Sequence, residues 1–262
     1  MTLFYKYHGT GNDFIMIDNR SGDFDVTDSE KVKKLCDRRL GIGADGLILL
    51  ENSDQADCFM NYYNSDGTIA EMCGNGVRCL AKFYLEQTQS GSKELMIDTR
   101  AGVKHVIVNN DGTYSVNMGI PVFTHADFPS DSIKFDDTEF NFVSMGNPHA
   151  VGLVENVSDL KLDVIGPTIE HDVRFPNKIN VEFVEKISDD KYKVRVWERG
   201  CAETMACGTG ACAVYAILKK SNNKLREVTL KFPGGNLYVS ENGNAEIILR
   251  GEATFVFNGE YK

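Results

Sequence analysis

The sequence predicts an α+β protein built from two similar domains, each a mixed β-sheet wrapped around one central helix. Three observations carry this prediction. First, short apolar runs with strand character recur along the whole chain, while each half holds a single dominant apolar helical pattern. Second, those two helices open alike: Cys73, Gly74, Asn75, Gly76 in one half and Cys207, Gly208, Thr209, Gly210 in the other, with the cysteines 134 residues apart. Third, Gly11–Asn12 and Gly146–Asn147 each lead into an apolar strand-like run and lie 135 residues apart. Two independent offsets that agree to within one residue indicate an internal duplication.

In chain order, residues 2–7 and 13–18 read as strands separated by the glycine-rich turn HGTGND. Thr27 and Glu30 have capping-box spacing ahead of a helix carrying Val32, Leu35 and Cys36. GIGADG, residues 41–46, matches G-x-G-x-x-G but follows a helix and precedes a strand. A dinucleotide site needs the reverse order, so the segment reads as a helix stop and tight turn. Strands near 58–63, 94–98, 103–108 and 113–118 flank the Cys73 helix, which runs to about residue 87. GIPVFTHADFPSD bears prolines, lacks periodicity and marks the domain boundary. Beyond it come strands near 132–136 and 139–145, the run GNPHAVGLVE, a segment at 157–177 with a short helix, and strands near 179–185 and 191–198. The Cys207 helix follows. Its apolar residues Ala211, Cys212, Ala213, Val214, Tyr215, Ile217 and Leu218 cover every face, so the rest of its domain wraps it. Short strands near 227–232, 236–240, 245–250 and 253–258 complete the chain.

At 262 residues the chain accommodates two domains with cores of their own. No apolar stretch is long enough to span a bilayer, and the start MTLFYKYHGTGNDF is a strand pattern, not a signal peptide. Seven cysteines, an odd number without a framework, fit free thiols in a reducing cytoplasm. A formal net charge of −10 argues against nucleic acid and anionic membranes as partners.

The chemistry follows from the helix starts. First-turn N–H groups lie ahead of the helical hydrogen-bond ladder and attract negative charge, either a thiolate or a ligand carboxylate. Helix-end stabilisation of up to about 2 kcal/mol would bring a thiol from about 8.5 towards 7. Two equivalent cysteines, one from each half, suit a pair of bases on opposite faces of one carbon: one removes a proton, the other delivers one, and configuration inverts. No cofactor and no metal are required if the bound carboxylate is stabilised as it gains enolate character. The cysteine spacings fit no tetrahedral zinc pattern, and Cys36, Cys58, Cys79, Cys201 and Cys212 read as small hydrophobes.

HGTGNDF at 8–14, GIGADG at 41–46, NSDG at 64–67, MCGNG at 72–76, GNPH at 146–149, ERG at 198–200 and ACGTGA at 206–211 together resemble the diaminopimelate epimerase family, end to end and in order. The resemblance implies an N-terminal domain over 1–117, to which 252–262 return, and a C-terminal domain over 118–251. It implies cofactor-independent interconversion of LL- and meso-diaminopimelate, a dicarboxylic diamino acid, for lysine and peptidoglycan precursors, by a homodimer. Position by position, it implies Cys73 and Cys207 as the catalytic cysteines and Asn12, Asn64, Asn147 and Asn180 as substrate-binding asparagines. Asn75–Gly76 and Gly208–Thr209 match a backbone clamp on the reacting carboxylate. Glu198 and Arg199 match the pair that reads the substrate's amino and distal acidic groups, and His149 and Glu198 match residues that tune the cysteines. The chain departs from the pattern at Gly46, where some members carry a glutamine, and at Ala202, where a glycine is usual; Ala202 is expected to be tolerated with a negative φ. A racemase for proline, hydroxyproline or histidine on the same fold, and a binding module that keeps the carboxylate trap without catalysis, are the alternative readings.

Overall fold

The computed structural model describes residues 1–25, 28–129 and 132–262. The chain divides into two compact units, Met1–Val116 together with Gly251–Lys262, and Asn117–Arg250. In chain order the first unit supplies β1 (Thr2–Gly9), β2 (Asn12–Asp18), α1 (Ser29–Cys36), β3 (Gly46–Glu51), β4 (Cys58–Asn64), α2 (Gly74–Thr88), β5 (Glu94–Asp98), β6 (Lys104–Val108) and β7 (Tyr114–Gly119), whose last residues lead into the second unit. The second supplies β8 (Ser132–Phe135), β9 (Thr138–Ser144), β10 (Pro148–Val154), α3 (Leu162–Glu170), β11 (Asn180–Lys186), β12 (Lys191–Glu198), β13 (Ala202–Thr204), α4 (Gly208–Ser221), β14 (Glu227–Phe232), β15 (Gly235–Glu241) and β16 (Ile247–Gly251). The chain then returns to the first unit as β17 (Thr254–Tyr261).

The duplication is visible in the pairing. From β1 to β7 successive neighbours pair antiparallel, parallel, antiparallel, parallel, antiparallel and antiparallel. The series β9, β10, β11, β12, β14, β15, β16 repeats those senses in the same order. In the first unit β17 adds an antiparallel neighbour on the other side of β1.

Each sheet is covered on both faces, which is why its central strands read as nearly continuous apolar runs. In the first unit Ile15, Ile17, Leu47 and Leu49 pack with Val32, Leu35 and Cys36 of α1. The alternate residues Phe14 and Ile48 face the other way, toward the first turn of α2. In the second unit Ala150, Val181 and Phe183 pack with Leu162 and Ile169 of α3, while Glu182 on the opposite face lies under the first turn of α4. The apolar helix predicted after Cys207 is buried without interruption from Gly210 to Leu218. The Thr27 side of the predicted capping box lies outside the described residues; Asp28 is the N-cap of α1, its carboxylate accepting from the Glu30 N–H at 2.9 Å. Among the described residues no helix is long and apolar enough to cross a membrane.

Candidate active site

Each unit presents its predicted catalytic cysteine as the N-cap of its central helix. Cys73 has the extended backbone of an N-cap, φ −138° and ψ 122°. Its sulfur donates to Asn12 Oδ1 at 3.4 Å, and Asn75 Nδ2 donates to the same oxygen at 3.2 Å. The amide nitrogen of Asn12 donates in turn to Asp45 Oδ2 at 2.7 Å. These contacts fix the orientation of Asn12, since a flipped amide would set NH₂ against NH₂ and oxygen against carboxylate. Cys73 therefore faces an acceptor. Asp45 is itself anchored by Arg38 at 2.7 Å, and Arg38 and Lys6 both clasp Asp13 at 2.6 Å. Burial raises the Asp13 pKa, but the two cations outweigh it and hold the carboxyl at about 2. Asn75 is buried, with its Oδ1 accepting from Arg78 at 3.0 Å. Gly76 belongs to the first turn beside it, where a Cβ would come within 2.8 Å of Ile48 and Met60. Asn64 ends β4 opposite Gly46, its amide bonded to Thr68 at 3.0 Å.

Cys207 caps α4 with φ −116° and ψ 119°. Its sulfur accepts from the Gly210 N–H at 3.4 Å and lies 3.4 Å from the Thr209 hydroxyl. Thr209 Oγ1 accepts from Asn147 Nδ2 at 3.3 Å, Asn147 Oδ1 lies 3.0 Å from His149 Nε2, and His149 Nδ1 lies 2.7 Å from Glu182 Oε1. Glu198 is hydrogen-bonded by Thr204 and by Cys207. Burial pushes the Glu198 carboxyl up against the opposing pull of those bonds. Asn180 donates to Pro148 O at 2.8 Å and accepts from the Arg199 N–H at 3.0 Å, which ties β10 to the corner carrying Arg199. Glu170 accepts from the Gly200 N–H at 2.9 Å and braces the same corner, while the exposed Arg199 side chain donates to Asn177 O at 3.1 Å.

One expectation is corrected and the condition attached to another is not met. A helix start was expected to lower the thiol pKa, but Cys207 is raised well above its ordinary value. Burial is the main cause, and the carboxylates of Glu198 and Glu182 add to it, while Thr209 and the Gly210 N–H pull the other way. The free protein thus holds Cys207 as a thiol. Ala202 was expected to be tolerated on the condition of a negative φ; it sits at +62°, in the left-handed region that favours glycine, so its Cβ is carried at a steric cost of about 1–2 kcal/mol.

The diaminopimelate epimerase family model matches residues 4–124 and 141–256. The diaminopimelate epimerase of Carboxydothermus hydrogenoformans is 42% identical, over 98% of this chain and 98% of its own length. That of Methanococcus maripaludis is likewise 42% identical over 98% of both chains. The chain belongs to the diaminopimelate epimerase family.

Solved structures show how widely the family's fold is shared. A phenazine biosynthesis protein of the PhzF family from Bacillus anthracis superposes with a TM-score of 0.75 at 17% identity, covering 100% of this chain and 99% of its own. A hydroxyproline epimerase from Agrobacterium vitis superposes with a TM-score of 0.73 at 13% identity, covering 98% and 90%. Within this diaminopimelate epimerase-family chain the structure groups Asn12, Asn75 and Gly76 at Cys73, and Asn147, His149, Glu198, Gly208 and Thr209 at Cys207. Asp45 and Glu182 were missed in the sequence. Glu182 was findable: it shares the strand face of Asn180 in the otherwise apolar start NVEFV of β11, where a charge needs a buried partner. Asp45 had no such signal, because its partners Asn12 and Arg38 come from other segments.

Proposed function

We propose that the chain interconverts LL- and meso-2,6-diaminopimelate, in lysine and peptidoglycan-precursor synthesis, by a two-base transfer of the α-proton between Cys73 and Cys207. One observation carries the reading: the duplicated fold ends twice in a cysteine N-cap followed by a glycine-bearing first turn. Inversion at carbon requires a base on one face and an acid on the other, the two roles assigned to Cys73 and Cys207. The thiolate removes the α-proton, the opposite thiol delivers its own, and the reverse reaction exchanges the roles. The first-turn N–H groups of Asn75–Gly76 and Gly208–Thr209 stabilise the carboxylate as it takes on enolate charge. Cys207 rests as a thiol, and the substrate's α-ammonium is a cation whose approach favours the thiolate form.

Glu198 and Arg199 read the distal ammonium and carboxylate, the planar guanidinium fork suiting the latter. Asn12, Asn64, Asn147 and Asn180 orient the substrate, and His149 with Glu198 tunes Cys207. The protein is proposed to need no cofactor, to work in the cytoplasm, where its seven free cysteines stay reduced, and to pair as a homodimer. Exposed Leu3, Phe255, Val256 and Phe257, on the adjoining strands β1 and β17, supply apolar surface for such pairing.

The deciding experiment follows LL-diaminopimelate in deuterated water after dialysis against a chelator. Meso product with deuterium at the inverted α-carbon is the expected outcome. Absence of exchange, or a requirement for pyridoxal phosphate, defeats the proposal. Sedimentation velocity tests the dimer.

A further inference from the structure

Glu182 is fully buried in the middle of β11, where its Oε2 has no hydrogen-bond partner among the described residues. Its other oxygen meets the equally buried His149 ring at 2.7 Å. The first turn of α4 rests on this pair: a Cβ at Gly210 would stand 2.5 Å from Glu182 Oε1 and 3.2 Å from the Cys207 Cβ. A buried carboxylate with an unsatisfied oxygen lowers stability, so its retention calls for a reason other than packing.

The scaffold does not demand it. His149 pairs through β10 and β11 with Asn180, two residues before Glu182. In the first unit Phe14 pairs through β2 and β3 with Gly46, two residues before Ile48. Phe14 and Ile48 therefore occupy the places of His149 and Glu182, and Ile48 lies beneath Gly76 as Glu182 lies beneath Gly210. Hydrocarbon suffices at one helix start; an acid and a base stand at the other.

We propose, resting on the role assigned above to Cys207, that Glu182 is a positioning residue that fixes the donor direction of the chain His149–Asn147–Thr209 toward the Cys207 sulfur. Asn147 Nδ2 donates to Thr209 Oγ1, leaving its Oδ1 as acceptor for His149 Nε2–H. The contact between Nδ1 and Oε1 then needs a proton of its own, which the proposal places on Nδ1 opposite a charged Glu182, so that the ring carries one proton on each nitrogen. A ring protonated on both nitrogens can only donate. Asn147 must then accept from it and donate onward, and the Thr209 hydroxyl, already accepting, is free to turn its hydrogen to the sulfur. A neutral ring permits the opposite direction, with Asn147 flipped and Thr209 turned away. The Glu182 charge is what selects between the two, and with it the donor that a Cys207 thiolate requires.

The test compares wild type, Glu182→Gln and Thr209→Val by ¹⁵N imidazole spectroscopy and by deuterium-exchange kinetics with diaminopimelate. In wild type both His149 nitrogens are expected to carry protons, with a slowly exchanging Nδ1–H resonance. Glu182→Gln is expected to lose that resonance and to lower kcat roughly 10–100-fold with little change in KM. Thr209→Val, which cuts the chain at its far end, should lower kcat similarly while keeping the resonance. A singly protonated His149 in wild type overturns the proposal, as does either variant with kcat within about twofold of wild type. The spectrum needs no substrate, so a wild-type protein inert toward diaminopimelate defeats the functional reading separately, while the pair is still judged.

Discussion

The two cysteine-capped helices rest on different floors. Beneath α2 the first turn meets Ile48, Met60 and Phe14; beneath α4 it meets Glu182, which is paired with His149. The polar atoms that reach the sulfurs differ as well. Cys73 donates to Asn12, an amide held by the Asp45–Arg38–Asp13–Lys6 cluster, whereas Cys207 accepts from Gly210 and is adjoined by Thr209, at the end of a relay that starts from the buried Glu182–His149 pair. Sheet and helix have kept their duplicated geometry while the groups that set protonation have diverged. A symmetric reaction is thus assigned to chemically unlike partners, and the differences are open to direct attack.

The largest expected effect comes from removing either sulfur. Cys73→Ala and Cys207→Ala should each lower α-proton exchange by roughly 10²–10⁴-fold with unchanged circular dichroism, because general acid–base groups contribute about that much. Exchanging the floors is the sharper experiment. Ile48→Glu places an unpaired charge under α2 and should cost on the order of 3–5 kcal/mol in denaturant unfolding. The double variant His149→Phe with Glu182→Ile installs the first unit's pair under α4. Replacing a buried ion pair by hydrocarbon is neutral or stabilising by about 1–4 kcal/mol, so this protein should unfold no earlier than wild type and yet turn over far more slowly.

Smaller contrasts follow at the glycines. A methyl at Gly210 collides with a carboxylate oxygen locked to His149, whereas one at Gly76 meets the movable ends of Ile48 and Met60. Gly210→Ala should therefore cost about 1–3 kcal/mol, and Gly76→Ala less, after the helix-propensity gain of about 1 kcal/mol that both share. Ala202→Gly should raise the unfolding midpoint by the equivalent of about 0.5–1 kcal/mol, the left-handed strain relieved less the added freedom of the unfolded chain. The smallest effect is on pH dependence. Asp13 is lowered from 3.8 to about 2 in the folded protein, so its contribution to stability is complete above its unfolded pKa and is lost as pH falls through that window. Asp13→Asn should flatten the acid limb of stability there.

How much of this could be read from the chain depended on whether the signal was local. The helix starts at Cys73 and Cys207 were legible because cap, glycines and apolar run are contiguous, and the duplication made each a check on the other. Asn12 and Asn147 were legible as a repeat at the matching offset. Ala202 was flagged as an anomaly, but the sign of its φ is set by the turn between β12 and β13, which no local pattern encodes. The protonation of Cys207 was misjudged because a helix terminus is visible in sequence, whereas burial and the convergence of Glu182 and Glu198 are products of strand register. Asp45 was invisible for a related reason: it looked like part of a turn until the fold brought Asn12 and Arg38 to it.

The strand β17 that returns to pair with β1 also sets a timetable. On the ribosome every residue of the second unit, Asn117–Arg250, emerges before β17 does, whereas the first unit stays one strand short until β17 itself has emerged. Until then β1 offers an unpaired edge with Leu3 and Phe4 along it, an invitation to misassembly during translation. The half that is made first is the half that finishes last.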